Sequence, residues 1–366
     1  MSKTNYSSSG VNYDLLDPIK KLAQTAAKST GRNLKTNGAS EISDTRGESA
    51  FVWKQGTAYM ASVIEGLGTK NLVADAMHKI TGKSYYQVIG HDTVAAIIND
   101  LVSVGATPLT IFAYWAVGNS EWFKDEQRAT DLISGWKKGC DEAGATWGGG
   151  ETPSCSGIIN PETIDLGGSA VGIIKRAKHL LSDKKLHVGD RIILLKSNGI
   201  NTNGLSLARK LAEQLPQGYA TKLPGGQMYG EALLTSTNIY AQLIQKLLTA
   251  GVELHYISNI TGHGLRKLIR GRPNFSYVIE QLLKPQEIFS FIQATGNLSD
   301  YDMHETFNMG QDYALYLPAK EVAKAQKIIK KCGFGSIDAG YLKKGEKQIM
   351  IDGKNIVYTG NSMNLR

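Results

Sequence analysis

The chain has 366 residues, a formal net charge of +8, 42% hydrophobic and 20% charged residues, and 40 glycines. That composition describes a globular protein large enough for two domains, each with its own core, and excludes a disordered, fibrous or disulfide-stapled one. No run approaches the roughly 18 apolar residues needed to span a bilayer, and the opening MSKTNYSSSG is polar with no apolar core, so no membrane is expected and a cytoplasmic location is.

Three cysteines, Cys140, Cys155 and Cys332, are an odd number without metal-site spacing, which predicts reduced structural thiols. The lysines and arginines are scattered, and the run from Lys320 to Lys331 reads as a solvated helix face. No nucleic-acid partner is expected. A phosphorylated small-molecule substrate suits the same sign of charge.

From Thr57 to Ile64, TAYMASVI reads as a strand that runs into the glycine turn EGLGTK at 65–70. Leu72, Val73, Ala76, Met77 and Ile80 then recur at helical spacing, and another helix is expected over Tyr85–Val104, ending at the Gly105–Pro108 breaker. LTIFAYWAV follows as a buried strand, Lys124–Ala143 as a helix, ATW as a short strand ahead of a glycine loop, and IDLGGSAVGII as a strand with a possible bulge. The charged stretch around 175–190 marks a boundary, giving units at 1–175 and 176–366. In the second unit, RIILLK is a strand, Leu205–Leu215 a helix, Ala232–Ala250 a long helix, and DYALYL a late strand.

Two clusters could hold a phosphate. TGKS at 81–84 lacks the first glycine of a P-loop, which Met77 replaces, and follows a helix instead of a strand, so it reads as a helix end. EGLGTK sits between a strand and a helix, where unpaired backbone N–H groups and the helix dipole face outward, with Lys70 as an added charge. A plain glycine turn remains the alternative. SNGINTNG at 197–204 and NITGHG at 259–264 are further glycine loops, the first leading into a helix N-terminus, while His263 alone reads as a structural histidine.

Asp92 and Asn99 are seven residues apart and nearly superimposed on one face of the second helix, with Asp100 beside them. Polar groups on an otherwise apolar face need partners, which a Mg²⁺ with its bound phosphate would supply; a helix start at Asp92 and a solvated end at Asn99 and Asp100 is the alternative. In GGGET, Glu151 and Thr152 follow three glycines, suiting either a backbone close to a ligand or a simple loop. No serine-hydrolase order, HExxH or paired-cysteine spacing is present.

Taken in order, GLGTK, NDLVSVGATP, GGGET, NTNGLSLARK, NITGHG and TFNMG, with Gly10 and Val11 near the start, resemble the phosphoribosylaminoimidazole (AIR) synthetase family, the ATP-dependent cyclo-ligases of purine biosynthesis. The resemblance implies a two-domain α+β subunit whose N-terminal halves pair in a homodimer, using ATP and Mg²⁺. It implies Glu65, Asp92, Asp100 and Glu151 as metal ligands, and Asp92, Asn201 and Lys70 as catalytic groups. Lys20, Glu65, Gly66, Gly68, Thr69, Lys70, Asn99, Gly149, Gly150, Thr152, Asn203, Gly262 and Gly264 are the implied nucleotide-binding positions.

Several motif positions depart from the family pattern. Glu65 stands where the family has Asp, Asn201 where it has His, His263 where it has Gly, Asn12 where it has Asp, and TSTNIY at 235–240 lacks its Pro-Thr-Arg. The expected activity is ring closure of formylglycinamidine ribonucleotide; the alternatives are ATP-dependent chemistry on another acceptor, or a non-catalytic dimeric relative.

Overall fold

The structure, a computed structural model, describes residues 13–360, with side chains from Leu15 onward. The first unit contains helices α1 (Tyr13–Ser29), α2 (Arg32–Thr36), α3 (Lys70–Thr81), α4 (Tyr86–Val102) and α5 (Glu126–Ala143). Its strands are β1 (Ala39–Glu41), β2 (Phe51–Gln55), β3 (Ala58–Gly66), β4 (Thr107–Val117), β5 (Thr146–Glu151) and β6 (Ile164–Ile174), in the sheet order β1-β2-β3-β6-β4-β5. All neighbours are antiparallel except β4 and β5.

The second unit has helices α6 (Leu205–Ala212), α7 (Tyr229–Leu233), α8 (Ala241–Thr249), α9 (Glu287–Gly296), α10 (Asp300–Thr306) and α11 (Val322–Lys331). Its strands β7 (Arg191–Lys196), β8 (Tyr256–Asn259), β9 (Phe275–Ile279), β10 (Gln311–Leu317), β11 (Ser336–Lys344), β12 (Gln348–Ile351) and β13 (Ile356–Thr359) form a mixed sheet ordered β13-β12-β9-β11-β7-β10-β8. Strands feeding helices without strict βαβ repetition give an α+β architecture. No helix among the described residues is long and apolar enough to cross a membrane.

One core runs unbroken through both units. Leu67, Met77 and Ile97 of the first belong to the same buried cluster as Leu205, Leu211 and Ile244 of the second. A second cluster, including Leu194, Tyr256, Tyr277 and Tyr316, lies within the second unit. The continuity holds the ends of α3 and α4 against the loops of the second sheet.

Four expected elements differ. The long helix expected over Ala232–Ala250 is two helices, because residues 234–240 leave helical geometry to bond α4. The glycine loop at 148–150 is strand: a Cβ on Gly150 would lie 2.3 Å from the Ala113 carbonyl, so glycine permits the close β4–β5 approach. LTIFAYWAV is buried on one face only, since Phe112 and Tyr114 point outward while Ile111, Ala113 and Trp115 point in. In α3 the buried face is Val73, Ala74 and Met77, and Ile80 is exposed.

Candidate functional site

The loop between β3 and α3 is the strand end expected to face a phosphate. Gly68 takes φ +75°, a left-handed conformation that glycine adopts freely, and turns the chain into α3. Thr69 stands at the N-cap, but its hydroxyl oxygen accepts no N–H from the first turn, so no side-chain cap bond closes the helix end. In the second unit Gly204, also at φ +75°, stands before α6, which likewise has no side-chain cap. Gly66, Gly68 and Thr69 from one unit, and Asn203 and Gly204 from the other, line a single cavity of about 360 Å³. Two uncapped helix N-termini therefore converge on one space, each presenting unpaired N–H groups and positive dipole ends to an anion. Its volume falls in the range of small-molecule sites, roughly 300–1,000 Å³.

Opposite charge lines the same cavity. Glu65 at the end of β3 and Asp100 in the last turn of α4 both face it, and Asp100 Oδ1 accepts from Asn259 Nδ2 at 2.7 Å. Burial, and then the neighbouring Asp100 charge and hydrogen bond, push the Glu65 carboxyl up to about 8, against the pull of Lys267 and Arg270. Two carboxylates crowded in this way fit a divalent cation, which would relieve both their repulsion and their desolvation.

Burial, then Arg270, brings the Lys267 ammonium down to about 8, with Asp100 and Glu65 opposing. Burial and the charges of Lys267, Arg266, Lys20 and Arg270 hold the His263 ring neutral, its pKa down at about 2. Lys20 on α1 thus acts on this basic flank, while its ammonium bonds Asp17 at 3.2 Å. Gly10, Val11 and Asn12 lie outside the described residues.

Asn201 occupies the cavity wall at φ +59°, a region where asparagine is tolerated better than most residues. Its Nδ2 donates to Asp312 Oδ2 at 3.0 Å, and its Oδ1 is buried without a hydrogen-bond partner. Asp312 is pushed up to about 6 by burial, although Tyr240 donates to its Oδ1 at 2.5 Å. Asp312, Tyr240, Asn259 and Thr237 were not among the expected site residues. The signal for Asp312 was a Gln-Asp pair opening the wholly buried strand β10.

Asp92 and Lys70 have a different position. Both are fully buried and form an ion pair of 2.5 Å, with Lys70 Nζ also donating to the Thr235 carbonyl at 2.8 Å. Asp92 further accepts from the Thr237 N–H at 2.9 Å and the Thr237 hydroxyl at 3.0 Å, with Ser236 and His91 alongside. Asn99 Oδ1 accepts from the Tyr240 N–H at 2.9 Å, and its Nδ2 donates to the Asn238 carbonyl at 2.8 Å. The seven-residue spacing does place Asp92 and Asn99 on one face, and what that face binds is the 235–240 segment. Asn99 and Thr237 also line the cavity, so this seam forms its floor.

Gly149, Gly150, Glu151 and Thr152 are not brought to the cavity within one chain. Glu151 pairs with Tyr114 on the exposed face of the first sheet, whereas Glu65 faces α4 on the other side, three strands away. Gly262 and Gly264 shape the loop behind Thr261: Gly264 has φ +54°, and a Cβ there would lie 2.2 Å from the His304 carbonyl. The three cysteines are free, and burial pushes the Cys140 thiol up to about 12.

Comparison with known proteins gives the family and the fold. Residues 47–174 match the family model of the AIR synthase related protein N-terminal domain, and residues 187–353 that of its C-terminal domain. Among curated proteins, the phosphoribosylformylglycinamidine cyclo-ligase of Methanosarcina barkeri is 34% identical over 74% of this chain and 77% of its own. That of Carboxydothermus hydrogenoformans is 30% identical over 96% and 100%. Among solved structures, a hydrogenase maturation protein HypE in complex with ATP superposes with a TM-score of 0.60 at 15% identity, over 82% of this chain and 83% of that one. A ThiL complexed with AMPPCP and TMP gives 0.57 at 13%, over 85% and 89%; these two likenesses concern the fold. With both family models matched along most of its length, the chain belongs to the AIR synthase related family, and its curated relatives are phosphoribosylformylglycinamidine cyclo-ligases.

Proposed function

We propose that the protein uses ATP to close the ring of formylglycinamidine ribonucleotide, giving aminoimidazole ribonucleotide. The observation that carries this reading is the meeting of two uncapped helix N-termini above the Glu65–Asp100 pair in one cavity. Such a site suits a triphosphate or a phosphorylated substrate, and a curated relative matched over 96% of this chain bears the cyclo-ligase name.

In this reading ATP transfers its γ-phosphoryl group to the formyl oxygen, the amidine nitrogen attacks the activated carbon, and phosphate leaves as the C–N bond forms. The backbone N–H groups at Gly68–Thr69 and Asn203–Gly204 hold phosphoryl oxygens. Glu65 and Asp100 would hold Mg²⁺, which when bound neutralises phosphate charge and aligns the transfer. Asn201 Oδ1 accepts an N–H of the acceptor, at the position where the family carries histidine. Asp312, whose carboxyl burial pushes up to about 6, is suited to take the proton that ring closure releases. Asp92 and Lys70 act through the 235–240 seam, holding the floor in place.

The same reading includes a homodimer formed through the open face of the first sheet, a unit boundary near residue 175, and action in the cytoplasm. The test is to supply purified protein with Mg²⁺-ATP and formylglycinamidine ribonucleotide, following ADP and aminoimidazole ribonucleotide together. Stoichiometric formation of both is expected. ADP without the imidazole product would redirect the reading to another acceptor.

A further inference from the structure

A second group of ligating side chains lies away from the cavity, where the segment entering β7 meets the turn between α8 and β8. His187, Asp190 and His255 offer ligand atoms that all lie within 4.8 Å of one another; Asp190 and His255 are buried and His187 is exposed. Asp190 Oδ2 lies 2.8 Å from His255 Nδ1 and also accepts the His187 backbone N–H at 2.9 Å, so the turn carrying His187 is fixed against the imidazole of His255. The two imidazole centroids are 5.2 Å apart.

The other nitrogen of His255 has a partner as well. Nε2 faces Glu253 Oε1 at 3.5 Å. A carboxylate behind the outer nitrogen is the arrangement that fixes the tautomer and orientation of a metal-bound histidine. His187, His255 and Glu253 border a cavity of about 430 Å³ whose wall also contains His179, with its Nε2 buried and without a hydrogen-bond partner. Lys178 and Lys185 share that wall, Lys185 being engaged with the Lys178 carbonyl at 2.7 Å, and Lys320 pairs with the other oxygen of Glu253 at 3.0 Å. None of these residues takes part in the proposed reaction.

We propose that His187, Asp190 and His255 bind a zinc-class divalent cation, with Glu253 orienting His255 and water in the fourth position facing the cavity. Two imidazole nitrogens and one carboxylate oxygen are a ligand set that zinc, cobalt and nickel share and that magnesium does not favour. Ligand atoms on one tetrahedral zinc, with bonds of about 2.0–2.2 Å, stand roughly 3.3–3.5 Å apart. The Asp190–His255 contact of 2.8 Å must therefore open by roughly half an ångström as the ion replaces their shared proton. His187, being exposed, can turn in to complete the set. The ion would tie the segment ahead of β7 to the start of β8, so its role is a clamp within the second unit.

The test is titration of chelator-treated, full-length protein with Co²⁺, followed by displacement with Zn²⁺. The expected result is the visible band of tetrahedral cobalt at about one equivalent, its loss on adding zinc, and a rise in Tm with zinc. His187→Ala, at an exposed position, should leave the fold intact and weaken binding by more than about 10-fold, and Glu253→Gln should weaken it by about 10-fold. Absence of the cobalt band and of a Tm shift would overturn the proposal. So would undiminished binding in the His187→Ala protein, since the ion would then sit elsewhere, for instance on Glu65 and Asp100.

Discussion

At the scale of residues, polar groups in α4 divide into those that hold the protein together and those left facing the cavity. Asp92 is buried with Lys70 and receives further bonds from the 235–240 segment, so removing its charge leaves an uncompensated ammonium in the core. Asp92→Asn is expected to lower stability by about 3–5 kcal/mol in urea unfolding at pH 7. Its activity loss should follow the loss of folded protein. Burial would push the Asp92 carboxyl up, but the charge of Lys70 and bonds from His91 and Lys70 hold it down at about 2. As pH falls below about 4, the unfolded chain takes up this proton while the folded chain resists until about 2, so the stabilisation drains away across that window. The same stretch of a stability–pH curve should be flatter in Asp92→Asn. Glu65 behaves in the opposite sense: its carboxyl is already destabilised beside Asp100. Glu65→Gln should leave stability unchanged or slightly raised while lowering kcat/KM at least about 100-fold, the scale of losing a group that organises transition-state charge. Wild-type kinetics in that variant would remove Glu65 from the site.

At the scale of elements, the two glycine-initiated helices make a paired prediction. Gly68 and Gly204 share φ +75°, but a Cβ at 68 would meet only the Thr202 carbonyl at 3.9 Å, while one at 204 would lie 2.2 Å from the Phe307 ring. Gly68→Ala should therefore cost about 1–2 kcal/mol from backbone strain alone. Gly204→Ala should cost about 2–4 kcal/mol, because overpacking adds to it. Thermal unfolding of the two variants checks the order. The strand–glycine–helix unit at 58–81 was legible because β-branched and aromatic residues, a Gly-x-Gly turn and helical spacing occur next to one another. The break between α7 and α8 was not, since Thr235–Tyr240 lies between apolar stretches that each have helical spacing. What breaks the helix is tertiary: Asp92 and Asn99, more than a hundred residues earlier, take up its N–H and carbonyl groups. Asp100 is buried and so is not the solvated helix end that was the alternative reading, and its partners Glu65 and Asn259 come from strands that only the fold brings beside it.

At the scale of the molecule, the first sheet is covered by α4 and α5 on one face and, among the described residues, left open on the other. Ile64 is 78% exposed, Tyr114 43% and Phe112 39%, and Ser169 joins Ile64 to Phe112 in one cross-strand row. A row of large apolar side chains on a continuous sheet face is costly in water and marks an interaction surface. The proposed homodimer through this face would place Glu151 and Thr152, at its β5 edge, beside the second copy rather than beside their own chain's cavity. Sedimentation should then show a dimer at micromolar concentration. The Ile64→Lys/Tyr114→Lys double variant should sediment as a monomer, because two buried ammonium groups per subunit cost far more than an interface of the usual size returns. Both substitutions are on exposed positions, so far-UV circular dichroism and Tm should remain near those of the parent protein. If the parent chain is itself monomeric, the open face has another use and Glu151 has no route to the site.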